Sequence, residues 1–172
     1  MTATPAADPT MDAITAAVTL GHQGETARAR QELLAVWDDL GVLGDPLHRC
    51  TLAHYLADLY PDPAEALIWD VRALDAARAL TDDRAGEHHA GLEVAGFYPS
   101  LHLNLADNLR RLGSFETAAE QIGEAEERVA ALPPGSYGDM IRTAIRGVRD
   151  AITARDTTPR SSSPTVGGAG DD

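Results

Sequence analysis

The stretch Asn104-Leu-Ala-Asp-Asn-Leu-Arg-Arg-Leu-Gly-Ser-Phe-Glu-Thr-Ala118 decides the fold, together with its continuation to Ile122 and Ala125. Leu105, Ala106, Leu109, Gly113, Phe115, Ala118, Ile122 and Ala125 alternate large and small residues around a central glycine. Two antiparallel helices approach closely only where alanine or glycine replaces bulk, while leucine and aromatic side chains fill the remaining grooves. Residues 99 to 131 therefore spell one helix, a glycine turn and a second helix packed back on the first. It is a packing signature, not a chemical one.

That order of residues resembles the tetratricopeptide repeat family, whose helical hairpins recur at about 34 residues. Two weaker copies lie in the same register. Ala13, Ala16, Ala17, Leu20, Gly24, Ala29, Leu33 and Val36 form the first, and Ala53, Ala66 and Ala73 the second. The second departs from the pattern, with His54 where a small residue is usual and Pro61 in place of the turn glycine. Ala29, Ala66 and Ala118, which open the second helix of each hairpin, stand 37 and 52 residues apart. The longer interval holds an insertion over residues 81–97. The resemblance implies an all-α protein of three antiparallel hairpins stacked as a right-handed superhelix, over about 9–40, 46–80 and 99–131. The inserted short helix and a capping helix at 136–154 complete a domain over 8–155.

Helix starts can be read locally. In the Asp-Pro steps Asp8-Pro9, Asp45-Pro46 and Asp62-Pro63, aspartate can accept from first-turn amides while proline occupies a position whose amide has no partner in the helix. Asp62 with Glu65 and Ser136 with Asp139 have capping-box spacing. Gly24, Gly41, Gly44, Gly113 and Pro133-Pro134-Gly135 mark stops. Expected helices run over 9–22, 25–40, 46–60, 63–80, 82–92, 99–112, 115–131 and 136–154. The last places Met140, Ile141, Ala144, Ile145, Val148 and Ile152 on one face and Arg142, Arg146, Arg149 and Asp150 on the other, as a solvating cap requires. Residues 1–7 are expected to be flexible. The Ser, Thr, Pro and Gly-rich stretch 156–172 is expected to be a disordered tail.

Composition narrows the function classes. All 14 basic residues are arginine and the net charge is −13. Arginine without lysine, beside abundant alanine, glycine and proline, is the composition a GC-rich genome of actinobacterial type encodes. The negative charge opposes nucleic acid and anionic membranes, which bind through clustered positive charge, so the expected partner is a neutral or basic protein or peptide. The single Cys50 can form no internal disulfide. With no signal-like amino terminus and no membrane-spanning apolar run, a cytoplasmic location is expected.

In the family resembled, the first helix of each hairpin lines the concave face. The positions that do not carry the packing pattern then give the ligand-binding groove: His48, Thr51, Tyr55 and Asp58 in the second hairpin, and Ser100, Asn104, Asp107 and Arg111 in the third. The last four fall in one stripe at about 100° per residue. Met11, Ile14, Thr15 and Val18 occupy the corresponding positions of the first hairpin. Asn104 stands where some peptide-binding members hold a ligand's backbone or carboxylate, but Asp58 and Asp107 would repel a carboxylate. The plainer reading is a solvated, self-paired helix face.

Histidine supplies the one hint of chemistry. His54, His102, Tyr98 and His89 could form a pocket or polar core, and His54, Asp58, His88, His89 and His102 are weak metal candidates whose spacing fits no established motif. A hydrogen-bonded core explains them equally well. Phosphate loops, nucleophile elbows and paired zinc motifs are missing from the sequence, and no cofactor is called for. The sequence therefore predicts a non-catalytic protein- or peptide-interaction scaffold. The alternatives are a small-molecule sensor or accessory protein with a pocket closed by the 81–97 insertion, and a metal-dependent enzyme built on the histidine cluster.

Overall fold

A computed structural model of the protein describes residues 7–80 and 96–160. Seven α-helices and no strand occur among them: α1 (Pro9–His22), α2 (Thr26–Leu40), α3 (Pro46–Asp58), α4 (Pro63–Arg78), α5 (Tyr98–Arg111), α6 (Phe115–Glu127) and α7 (Ser136–Thr153). The expected helix over 82–92 and the flexible residues 1–6 lie outside the described residues. Among the described residues no helix is long and apolar enough to cross a membrane.

The Asp-Pro steps cap as their chemistry dictates. Asp8 accepts from the amide of Met11 (2.9 Å), Asp45 from those of Leu47 and His48 (2.9 and 3.3 Å), and Asp62 from that of Ala64 (2.8 Å). Two hairpin turns close identically. After α1 the amides of Gly24 and Glu25 return to the carbonyls of Gly21 and Leu20, and after α5 those of Gly113 and Ser114 return to Arg110 and Leu109. Both glycines are left-handed, at φ 88° and 79°, the conformation that this helix-ending motif favours. Buried Ala29 and Ala118 follow them at the same distance. The second hairpin, with Pro61 in place of glycine, turns differently and is tied to the third by Arg111, which donates to the Pro61 carbonyl (2.8 Å).

Each helix packs on its hairpin partner, α1 on α2, α3 on α4 and α5 on α6, and the hairpins stack in chain order. Contact between α4 and α5 carries the stack past the insertion. Ala17, Ala53, Ala66, Ala73, Ala106, Ala118 and Ala125 are all buried where helices meet. Helix α5 is central, with ten of its 14 residues buried. Leu101 and Leu105 join the core formed by α1 to α4, whereas Leu103 and Ala106 join the core shared with α6 and α7. Through Ile141, Ile145, Val148 and Ile152, α7 closes the second core and leaves Arg146 and Arg149 in solvent.

Several expectations are corrected. Ala13 and Ala16 face solvent while Ile14, expected on the groove side, is 1% exposed; α1 is the outermost helix and needs only the stripe that meets α2 and α3. Met140 is exposed rather than packed. Helix α6 stops at Glu127, and a single 3-10 turn, Val129–Ala131, follows. Ser136 does not cap α7, because Gly135 at φ 115° is the residue that enters the helix. Asp156 to Arg160, expected in the disordered tail, are held against α5 by Arg110 and Asp107.

Candidate functional site

Because the hairpins stack in order, α1, α3, α5 and α7 share one side of the protein and line a hollow of about 860 Å³. Thr51, His54, Tyr55 and Asp58 project from α3, Ser100, Leu103 and Asn104 from α5, and Tyr137 and Met140 from α7. Arg160 reaches the same hollow from the segment after α7. At this mouth Tyr55, Tyr137 and Met140 are 37, 47 and 53% exposed.

Of the eight groove residues expected from sequence, the structure brings five to this hollow: Thr51, Tyr55, Asp58, Ser100 and Asn104. The other three serve elsewhere. His48 is buried and its Nε2 meets the Asp8 carboxylate at 2.7 Å, bracing α3 against α1. Asp107 accepts from buried Arg110 (Nε 3.0 Å, Nη2 2.6 Å) and from Arg160 (Nε 3.0 Å). Arg111 holds Pro61. Tyr137, Met140 and Arg160 were missed because they arrive from distant parts of the chain.

Beneath the hollow lies a polar network. Asp70 of α4 is completely buried and accepts from Asn108 at 2.7 Å, with Asn104 more distant at 3.5 Å. The amide nitrogen of Asn104 also stands 3.5 Å from Nδ1 of His54. Burial pushes the Asp70 carboxyl up to about 8, helped by the charge of Asp58, although both asparagines favour its ionised form. Asp70 continues the buried stripe of Ala66, Ala73 and Ala77, one turn apart along α4. That position is the signal by which an interior carboxylate could have been found.

Asp58 is exposed at the hollow, although the protein packed around its base removes part of its hydration. This desolvation raises its pKa above the ordinary carboxylate value, against the opposing influence of His54, Arg160 and His22. The Tyr55 phenol is also raised, first by desolvation and then by Tyr137 and Asp58. Two phenols and a carboxylate thus share one end of the hollow.

Of the expected cluster, His54 and His102 stand in different places. His54 faces Asn104 and Tyr55, whereas His102 and Tyr98 line a separate hollow with Arg78, Gln121 and Arg128. There His102 meets Oε1 of Gln121 at 2.8 Å and stacks on Tyr98 at 6.2 Å. Burial lowers its pKa more than the Gln121 bond raises it, which favours a neutral imidazole. His88 and His89 lie outside the described residues. Among the described residues no group of three or more His, Cys, Asp or Glu side chains is placed to hold a metal. Whether the insertion covers the hollow also falls outside them.

Comparison with protein-family models, curated proteins and solved structures finds no match to this chain.

Proposed function

We propose that the protein is a non-catalytic binding module of tetratricopeptide type, which holds a segment of a neutral or basic protein partner in its concave hollow in the cytoplasm. The observation that carries this reading is the hollow itself. The first helices of three successive hairpins and the helix that follows them converge on it, and it exposes aromatic and thioether side chains beside a few polar groups, the composition of a recognition surface. The repeat assignment draws its support from the matched closures at Gly24 and Gly113 and from the buried alanines that follow them.

Selection of peptides from a random display library on the immobilised protein tests the reading. Selected peptides should lose binding to the double variant Tyr55→Ala, Tyr137→Ala. Tyr55 and Tyr137 are 37 and 47% exposed, and thermal unfolding of the variant, recorded beside binding, separates loss of contact from loss of fold. Peptides that hold the variant as tightly as the parent would refute the hollow as the site. Asn104 is unsuited to this test because it also faces buried Asp70.

The volume favours a second reading, in which a small molecule occupies the hollow, because cavities of roughly 300–1,000 Å³ suit ligands of that size. Native mass spectrometry of untagged protein separates the two: a reproducible added mass, lost in the same double variant, supports the small molecule.

A further inference from the structure

One end of the hollow is rich in acceptors. Among the described residues the Asp58 carboxylate accepts no hydrogen bond, and the phenols of Tyr55 and Tyr137 make none. The Asn104 amide nitrogen is turned toward Asp70 and His54, which leaves its carbonyl oxygen without an intramolecular partner. A carboxylate in a partly desolvated site gains most from a charged donor, and aromatic rings attract cations through their electron-rich faces.

Among the described residues Arg160 is the one arginine lining the hollow, and with His54 and His22 it acts on Asp58 only through charge, without a hydrogen bond. Arg160 spans to Asp107 at 3.0 Å, a carboxylate it shares with buried Arg110. An anionic ligand would have to enter beside the Asp58 carboxylate. A net charge of −13 draws cations toward the protein, and Leu103 and Met140 offer apolar wall to a hydrocarbon stem.

Resting on the reading of the hollow as a binding site, we propose that this end receives an ammonium group on an apolar stem, with Asp58 as its counter-ion and Tyr55 and Tyr137 beside it. Either a lysine side chain in a partner segment or a free alkylamine carries that chemistry.

The test is an NMR-detected titration of the full chain with pentapeptides that differ only in a central lysine, norleucine or glutamate, and separately with n-butylammonium. Lysine peptide and butylammonium should shift the resonances of Tyr55, Asp58 and Tyr137. Norleucine and glutamate peptides should bind more weakly. Asp58→Asn should weaken the lysine peptide by about fivefold, and Arg160→Gln should tighten it by removing a competing cation. A lysine peptide much tighter than butylammonium identifies a basic segment as the source, and equal affinities identify a free amine. If norleucine binds as well as lysine, the ammonium proposal fails while the hollow survives as a site. Preference for glutamate, lost in Arg160→Gln, would reverse the sign of the ligand. If no probe shifts the hollow and display selection also yields nothing, both readings fall.

Discussion

Asn108 donates to Asp70 at 2.7 Å with both side chains buried, a bond that joins the last turn of α5 to the middle of α4. It satisfies a carboxylate that has no access to water. Satisfaction is incomplete, however, because two neutral amides do not replace hydration of a charge. The result is a carboxyl raised to about 8, chiefly by burial.

The pH dependence follows from that shift. Between the unfolded value of about 3.9 and the folded value of about 8, the native protein keeps a proton on Asp70 that the unfolded chain releases. Stability from this group is therefore full at low pH and declines as pH rises through the window, by up to about 1.4 kcal/mol per pH unit. Asp70→Asn has no proton to lose. Urea unfolding should show the stability of the variant relative to the parent rising from about pH 4 to about pH 8 and levelling above it. Parallel curves would mean that Asp70 is not held protonated.

Arg110 governs the segment that follows α7. Only 1% exposed, it donates through one nitrogen to the carbonyls of Asp156 (2.7 Å) and Thr158 (2.8 Å) and through two others to Asp107. Arg110→Met should cost about 3 kcal/mol, since Asp107 keeps only Arg160 as its partner. It should also free residues 156–160, so that trypsin cuts after Arg155 faster than in the parent under native conditions. Arg110→Lys should not restore protection, because a single ammonium cannot span three acceptors in fork geometry. An unchanged cleavage rate in Arg110→Met would show that the segment is held by something else.

How much of this was legible depends on how far each cause lies along the chain. Asp8, Asp45 and Asp62 act on amides two or three residues away, so their caps were readable from sequence. Thr51, Tyr55 and Asp58 share a helix face by periodicity alone, as do Ser100 and Asn104. Arg111 falls on the groove stripe by periodicity, but its partner, like the two carbonyl partners of Arg110, lies 46 to 50 residues distant. No local pattern encodes such partners. Tyr137 and Met140 reach the hollow because α7 packs against α5 and α6, and its amphipathic pattern does not specify which edge of the cap overhangs the concave side. Asp70 lies on the alanine stripe of α4, so register marks it as interior although its polarity points to the surface.

Two glycines should respond to alanine with opposite sign. Gly113 is left-handed at φ 79° and has no atom within 4 Å of where a Cβ would stand, so Gly113→Ala should destabilise by about 1 kcal/mol through backbone conformation alone. Gly147 lies inside α7 with an equally open Cβ position. There Gly147→Ala should stabilise by roughly 0.5–1 kcal/mol, from lost freedom in the unfolded chain and better helix propensity. Thermal unfolding of both variants checks the pair. A stabilised Gly113→Ala would contradict the helix-ending role that the first and third hairpins share.

Cys50 supplies a probe of global unfolding. It sits in α3 at 1% exposure, and burial alone pushes its thiol up to about 12. Disulfide and haloacetamide reagents attack the thiolate, so the native side chain is protected twice, by access and by ionisation. Native protein should react with a thiol reagent only through opening of the α3–α4 hairpin, at a rate that follows the unfolding equilibrium when reclosing is fast. Variants that destabilise the stack, such as Gly113→Ala, should speed labelling in proportion to their effect on stability, while Tyr137→Ala at the solvent-facing mouth should leave it nearly unchanged. Rapid labelling of the parent at neutral pH would show that Cys50 is reached through the hollow without unfolding.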